Sequence, residues 1–148
     1  MNTFKTLNYE SALHIGEFIV EGKKYEIYFL QINDIRTTNI LLPEDVTPMN
    51  SSIYEVAFDS YENQRNHTHY ARENIGYSAI KVFRRVIDLI FEHYEEHQPG
   101  FYCFRAEDEK LEVFYQSILS ILIRKHPGFI VQRAAGDKDY VIRTPFSL

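Results

Sequence analysis

Apolar and polar positions alternate along this chain in two rhythms, a period of two in some stretches and a helical period in others. Glu17 to Val20 and Lys24 to Ile32 are rich in β-branched and aromatic residues, and Glu21, Gly22 and Lys23 between them predict a hairpin with a tight turn. In the second run Tyr25, Ile27 and Phe29 alternate with Lys24, Glu26 and Tyr28, so one face is buried and the other mixed. Ile53 to Asp59 predicts a third strand, with Tyr54, Val56 and Phe58 on one face and Glu55, Ala57 and Asp59 on the other. Between the second and third strands, Asn33 to Asn50 carries Pro43 and Pro48 and reads as a long irregular connection.

Helical spacing begins near Gly76. Ala79, Phe83, Val86, Ile87, Ile90 and Tyr94 predict a helix to His97, stopped by Pro99-Gly100. Glu92, Glu95 and Glu96 lie near its end, the wrong sign of charge for a helix C-terminus. Gly100 to Ala106 is nearly all apolar, as a strand buried on both faces requires. A second helix follows from about Glu109 to Lys125. Glu107, Asp108 and Glu109 favour its start, and Arg124, Lys125 and His126 favour its end. Leu111, Phe114, Ile118, Ile121 and Leu122 form its inward stripe, and Pro127-Gly128 ends it. Phe129 to Gln132 and Tyr140 to Arg143 predict a closing hairpin around Gly136-Asp137. The order β-β-β-α-β-α-β-β predicts an α+β fold: a mixed, mainly antiparallel sheet with two main helices packed on it. A helix between the third and fourth strands makes a right-handed crossover if those strands run parallel.

Composition narrows the classes. With 148 residues, 45% hydrophobic and 25% charged, one domain spanning 1–148 with one core is expected. The longest apolar run, Ile118 to Ile123, is interrupted by Ser120 and is too short to span a membrane. The N-terminus shows no basic-then-apolar signal, and a cytoplasmic location is expected. Cys103 is the single cysteine, so it reads as a small buried hydrophobe and leaves no internal disulfide or multi-cysteine zinc site. A net charge of -5 disfavours nucleic acid. The 11 Tyr and 11 Phe exceed what a core of this size needs, which suits contact with a protein partner. An exposed strand edge would permit a homodimer.

Three stretches carry candidate chemistry. Ala71 to Ala79 leads into the first helix through Gly76, Tyr77 and Ser78. With Glu55 upstream and Tyr115 before Gly128-Phe129, the span from Ile53 to Phe129 resembles the GNAT superfamily of acyl-CoA N-acyltransferases. The resemblance lies in the order of elements: a meander, a helix opening after a glycine, a buried strand, a second helix, and a closing pair of strands. It implies acyl-CoA at the start of the first helix, with Gly76, Tyr77 and Ser78 in cofactor-binding positions, Tyr115 as the acid that protonates the leaving thiolate, and Glu55 as general base. The family pattern of Gln/Arg, two residues, Gly, one residue, Gly/Ala is broken here. Asn74 stands in the place of the first Gly and Ala71 in the place of Gln/Arg. The expectation is therefore a GNAT-like scaffold that acts as a binding or regulatory module with no cofactor, with a divergent acetyl-CoA-dependent N-acyltransferase as the alternative. The chain also resembles small uncharacterised bacterial and phage proteins through Phe83, Val86 and Ile87, Phe104-Arg105-Ala106-Glu107, and Phe114-Tyr115. Small size and acidic charge suggest a third reading, an immunity or inhibitor protein.

His93-Tyr94-Glu95-Glu96-His97 matches the H-x-x-E-H letters of inverted zinc hydrolases. No acidic or Cys third ligand accompanies the two histidines, and no metal site is expected. His67-Thr68-His69, with Arg65 and Arg72 nearby, could hold a small anion or a partner on the polar loop Ser60 to Asn74. The opening order of elements also matches ribonuclease H-like nucleases, but Glu17 and Glu21 lie only at the ends of the first strand, where no metal-holding acid is wanted.

Overall fold

The computed structural model describes residues 4–8, 12–34, 36, 38, 42–43, 45–48, 51–60, 77–105, 120, 124–133 and 139–146. Their strands are β1 (Lys5–Asn8), β2 (Ala12–Val20), β3 (Lys23–Gln31), β4 (Ile53–Ser60), β5 (Phe101–Arg105), β6 (Ile130–Arg133) and β7 (Asp139–Arg143). One helix, α1 (Tyr77–His97), lies between β4 and β5. The strands form one sheet in the order β1-β2-β3-β4-β5-β7-β6. Every pairing is antiparallel except β4 with β5, which α1 connects. The α+β class and the mixed, mainly antiparallel sheet expected from the sequence are therefore present. The expected second helix, about Glu109 to Lys125, lies almost wholly outside the described residues, as do Gly136-Asp137 and all but the first residue of the loop expected from Ser60 to Asn74.

Two differences from expectation occur at the N-terminal side. A strand, β1, precedes the expected hairpin, and β2 begins at Ala12 rather than Glu17. The inward positions of this early part of β2 are His14 and Gly16, both buried, so polar and minimal side chains hide the alternation. Phe4 fills the space that Gly16 leaves: a Cβ at Gly16 would stand 2.8 Å from the Phe4 ring. The turn from β2 to β3 is tight, with positive φ at Glu21 (50°) and Gly22 (81°), the backbone twist that two-residue hairpins favour.

Alternation then builds two apolar layers. Phe18, Ile27, Phe29, Tyr54, Val56, Tyr102, Phe104, Tyr140 and Ile142 point from the sheet toward α1, which answers with Val82, Phe83, Val86, Ile87, Leu89 and Ile90. On the opposite face Ile53, Phe101, Cys103 and Val141 pack with Ile32, Val46 and Leu42 of the segment after β3. β5 is buried on both faces because each layer covers one set of its side chains, as its apolar sequence requires. Cys103 is fully buried, and that burial pushes its thiol pKa up, so it behaves as a hydrophobe. Arg143 fastens the segment after β3 to the sheet: it pairs with Asp45 at 2.8 Å, donates to Gln132 and lies over the Phe101 ring.

The last turn of α1 is closed by Gln98, which adopts a left-handed conformation (φ 47°) and donates its N–H to the Tyr94 carbonyl at 2.8 Å. The chain then turns sharply into β5, where Gly100 passes so close to Ser51 that a Cβ would meet that side chain at 2.6 Å. No described helix is long and apolar enough to cross a membrane.

A candidate metal centre at the end of the helix

The apolar face of α1 repeats through Val82, Phe83, Val86, Leu89 and Ile90, and the next position on that stripe is His93. The sheet therefore receives an imidazole where spacing alone predicts another hydrophobe, and Tyr94 sits to the side, half-buried. His93 has no exposed surface and lies flat on Phe29, with ring centroids 4.1 Å apart and planes within 10°. Phe4 and Tyr54 meet it edge-on at 5.5 and 4.7 Å. One helical turn later His97 projects from the same side, half-buried, and stacks on His14 of β2 at 4.1 Å. His14 reaches this place because it is an inward residue of β2, and it too is buried.

The three imidazoles converge. One ring nitrogen from each of His14, His93 and His97 falls within a group no wider than 4.8 Å. His14 Nδ1 and His93 Nε2 are 2.8 Å apart, and the other nitrogen of His93, Nδ1, is 2.7 Å from Tyr102 Oη. A chain of hydrogen bonds thus runs Tyr102–His93–His14 through an apolar interior. It is satisfied in either direction: Tyr102 donates and His93 Nε2–H donates onward, or His14 Nδ1–H donates and His93 Nδ1–H donates to Tyr102.

Burial and proximity favour the neutral form of His14 and His93. Removal from water is the main cause that lowers the His14 pKa, helped by the neighbouring charge His97 would carry and opposed by Glu96. His93 is pushed down to about 2, chiefly by burial and then by His97 and His14. Neutral imidazole is the form that binds metal. With His93 Nδ1–H donated to Tyr102, its Nε2 lone pair faces that of His14 Nδ1, and an ion between them replaces the shared proton. Tetrahedral Zn²⁺–N bonds of about 2.1 Å need nitrogens roughly 3.4 Å apart, so the pair would open by about half an ångström. His97, at the half-exposed helix end, completes a set of three.

Of the positions expected from the sequence, the described ones, Glu55, Tyr77 and Ser78, lie away from this cluster. Glu55 is on β4 but on the sheet face away from α1, opposite Leu30 and Cys103 in register, where it accepts a hydrogen bond from Thr38 Oγ1. Tyr77 and Ser78 open the 21-residue helix α1, about 30 Å along its axis from His97 at the other end. Gly76 and Tyr115 lie outside the described residues, as do Arg65, His67, His69 and Arg72. Of the sequence motifs, H-x-x-E-H contains two of the three converging residues. Among the described residues neither an acid nor a cysteine joins them in the group; its third member is a histidine from a strand far away in the chain. The available signal was His93 continuing an apolar stripe and His14 sitting at an inward strand position. Comparison with protein-family models, curated proteins and solved structures finds no match for the chain.

Proposed function

We propose that this protein is a binding module on a GNAT-like scaffold whose ligand is one borderline transition-metal ion, Zn²⁺ foremost, held by His14, His93 and His97. The convergence of three imidazoles from two separate elements carries the reading. Imidazole donors without carboxylate suit zinc, copper, nickel or cobalt, and they disfavour magnesium and calcium, which want oxygen. Charge supports the same conclusion. Glu92, Glu95 and Glu96 crowd a helix C-terminus that is already negative, an arrangement that a bound cation would relieve. His93 also has the outer partner that metal-binding histidines need, the Tyr102 hydroxyl.

The meander, helix, buried strand and closing strand pair support the GNAT-like scaffold. The acyltransferase alternative depends on the start of α1 and on Tyr115, while Glu55 faces the layer away from α1; the histidine cluster is the better supported site. A regulatory role follows from the position of the ion, which would bind the end of α1 to β2 and so couple metal supply to the stability of that end of the sheet.

Calorimetric titration of chelator-treated protein with Zn²⁺ tests the reading. Saturation at one ion per chain, lost in a His14→Ala, His97→Ala double variant that still folds, is the expected result. A stoichiometry near zero for the wild-type protein, or equal binding by the double variant, would overturn it.

A further inference from the structure

Three protein ligands leave a tetrahedral ion one position short. Tyr54, on β4, packs beside the three imidazoles. Its ring touches all three imidazoles, with centroids 4.7 Å from His93, 5.4 Å from His14 and 6.4 Å from His97. It is 7% exposed, and among the described residues no hydrogen-bond partner of its hydroxyl is found. That contrasts with Tyr102, equally part of the cluster, whose hydroxyl is held by His93. A buried phenol left without a partner is costly, by about 1–3 kcal/mol, and such groups in folded proteins ordinarily have a bonding role. Buried tyrosines that only fill a core are usually hydrogen-bonded; this one lies against a cluster of metal-binding side chains.

Resting on the metal-binding reading above, we propose that Tyr54 is the fourth ligand, its Oη displacing water from the ion. The bond from metal to water breaks, the bond from metal to Oη forms, and the phenolic proton leaves to solvent, so the site changes from three nitrogens to three nitrogens and one oxygen with no redox step. The ion is then enclosed by His14, His93, His97 and Tyr54, which makes the centre structural and regulatory rather than an open site for hydrolysis.

Cu²⁺ is the probe, because phenolate bound to it gives a visible charge-transfer band that imidazole alone does not. Wild-type protein titrated with Cu²⁺ should develop the band at one equivalent. Tyr54→Phe, which keeps the ring and its packing, should still bind Cu²⁺ but lose the band and weaken binding on the order of tenfold. Tyr102→Phe should keep the band, because that hydroxyl acts through His93. Wild-type binding without the band, with unchanged affinity in Tyr54→Phe, overturns the assignment of Tyr54 while leaving the three-histidine site standing. Failure of the wild-type protein to bind Cu²⁺ at all overturns both.

Discussion

Tyr102 and His93 meet in the core through Oη and Nδ1 at 2.7 Å, a contact between β5 and the last turn of α1 made between two side chains with no exposed surface. The bond fixes the plane of the imidazole on Phe29 and leaves Nε2 facing His14. The orientation of the whole cluster thus depends on a hydroxyl that touches none of its other members through a hydrogen bond.

Tyr102→Phe removes that oxygen and leaves His93 Nδ1 buried without its partner. A loss of about 1–3 kcal/mol in unfolding free energy is expected in metal-free protein, read from the shift in urea midpoint at constant slope. Zn²⁺ affinity should fall by roughly 10–100-fold through misorientation of His93.

His97→Ala separates the metal site from the fold. His97 is half-exposed at a helix end, so metal-free stability should change by less than about 1 kcal/mol, whereas the thermal shift on adding Zn²⁺ should largely vanish. In wild-type protein, free Zn²⁺ at a hundred times the dissociation constant should add about 2.7 kcal/mol, and chelator should reverse it. Differential scanning fluorimetry with and without chelator distinguishes the two proteins.

Acid should weaken the metal-free fold. Unfolded, His93 takes a proton near 6.5, but folded it resists protonation until about 2. Below 6.5 the unfolded chain binds the extra proton, so stability falls as pH drops, by at most about 1.4 kcal/mol per pH unit for this residue. Above that value neither state is protonated and the contribution is flat. His14 acts in the same direction. Urea midpoints measured from about pH 8 down to about pH 5 should be level and then decline, and His93→Phe should make the decline shallower.

Gly100→Ala tests the junction between α1 and β5. The added Cβ would stand 2.6 Å from Ser51 Cβ, next to the backbone bonds that Gly100 and Phe101 make to the Ser52 carbonyl. A destabilisation of about 1–3 kcal/mol by chemical denaturation is expected. Recovery in a Ser51→Gly, Gly100→Ala double variant would assign the loss to this contact.

Most of the sheet was legible because alternation is a local signal. Tyr25, Ile27 and Phe29 announce the inward face of β3, and Tyr54, Val56 and Phe58 that of β4. Legibility ended where an inward residue was not apolar. His14 and Gly16 broke the pattern, so β2 appeared five residues too short, and β1, whose neighbouring Phe4 fills the gap over Gly16, had no long pattern of its own. The candidate centre was half visible for the same reason. Helical spacing places His93 and His97 on one side of α1, but no local rule carries a reader from there to His14. That link exists only once β1, β2, β3 and β4 are set side by side and α1 is laid across them.

His14 and His93 are 79 positions apart in sequence, and an ion joining them would close that much chain into a ring. In polymer terms such a cross-link works on the unfolded ensemble, denying it the conformations in which the two ends wander apart. For a loop of this length the chain-entropy estimate is about 4.5 kcal/mol. With Cys103 as its single cysteine, the chain cannot form an internal disulfide. A metal ion bridging β2 and α1 would supply a comparable tie, one that forms and releases with the surrounding ion concentration instead of with the redox state.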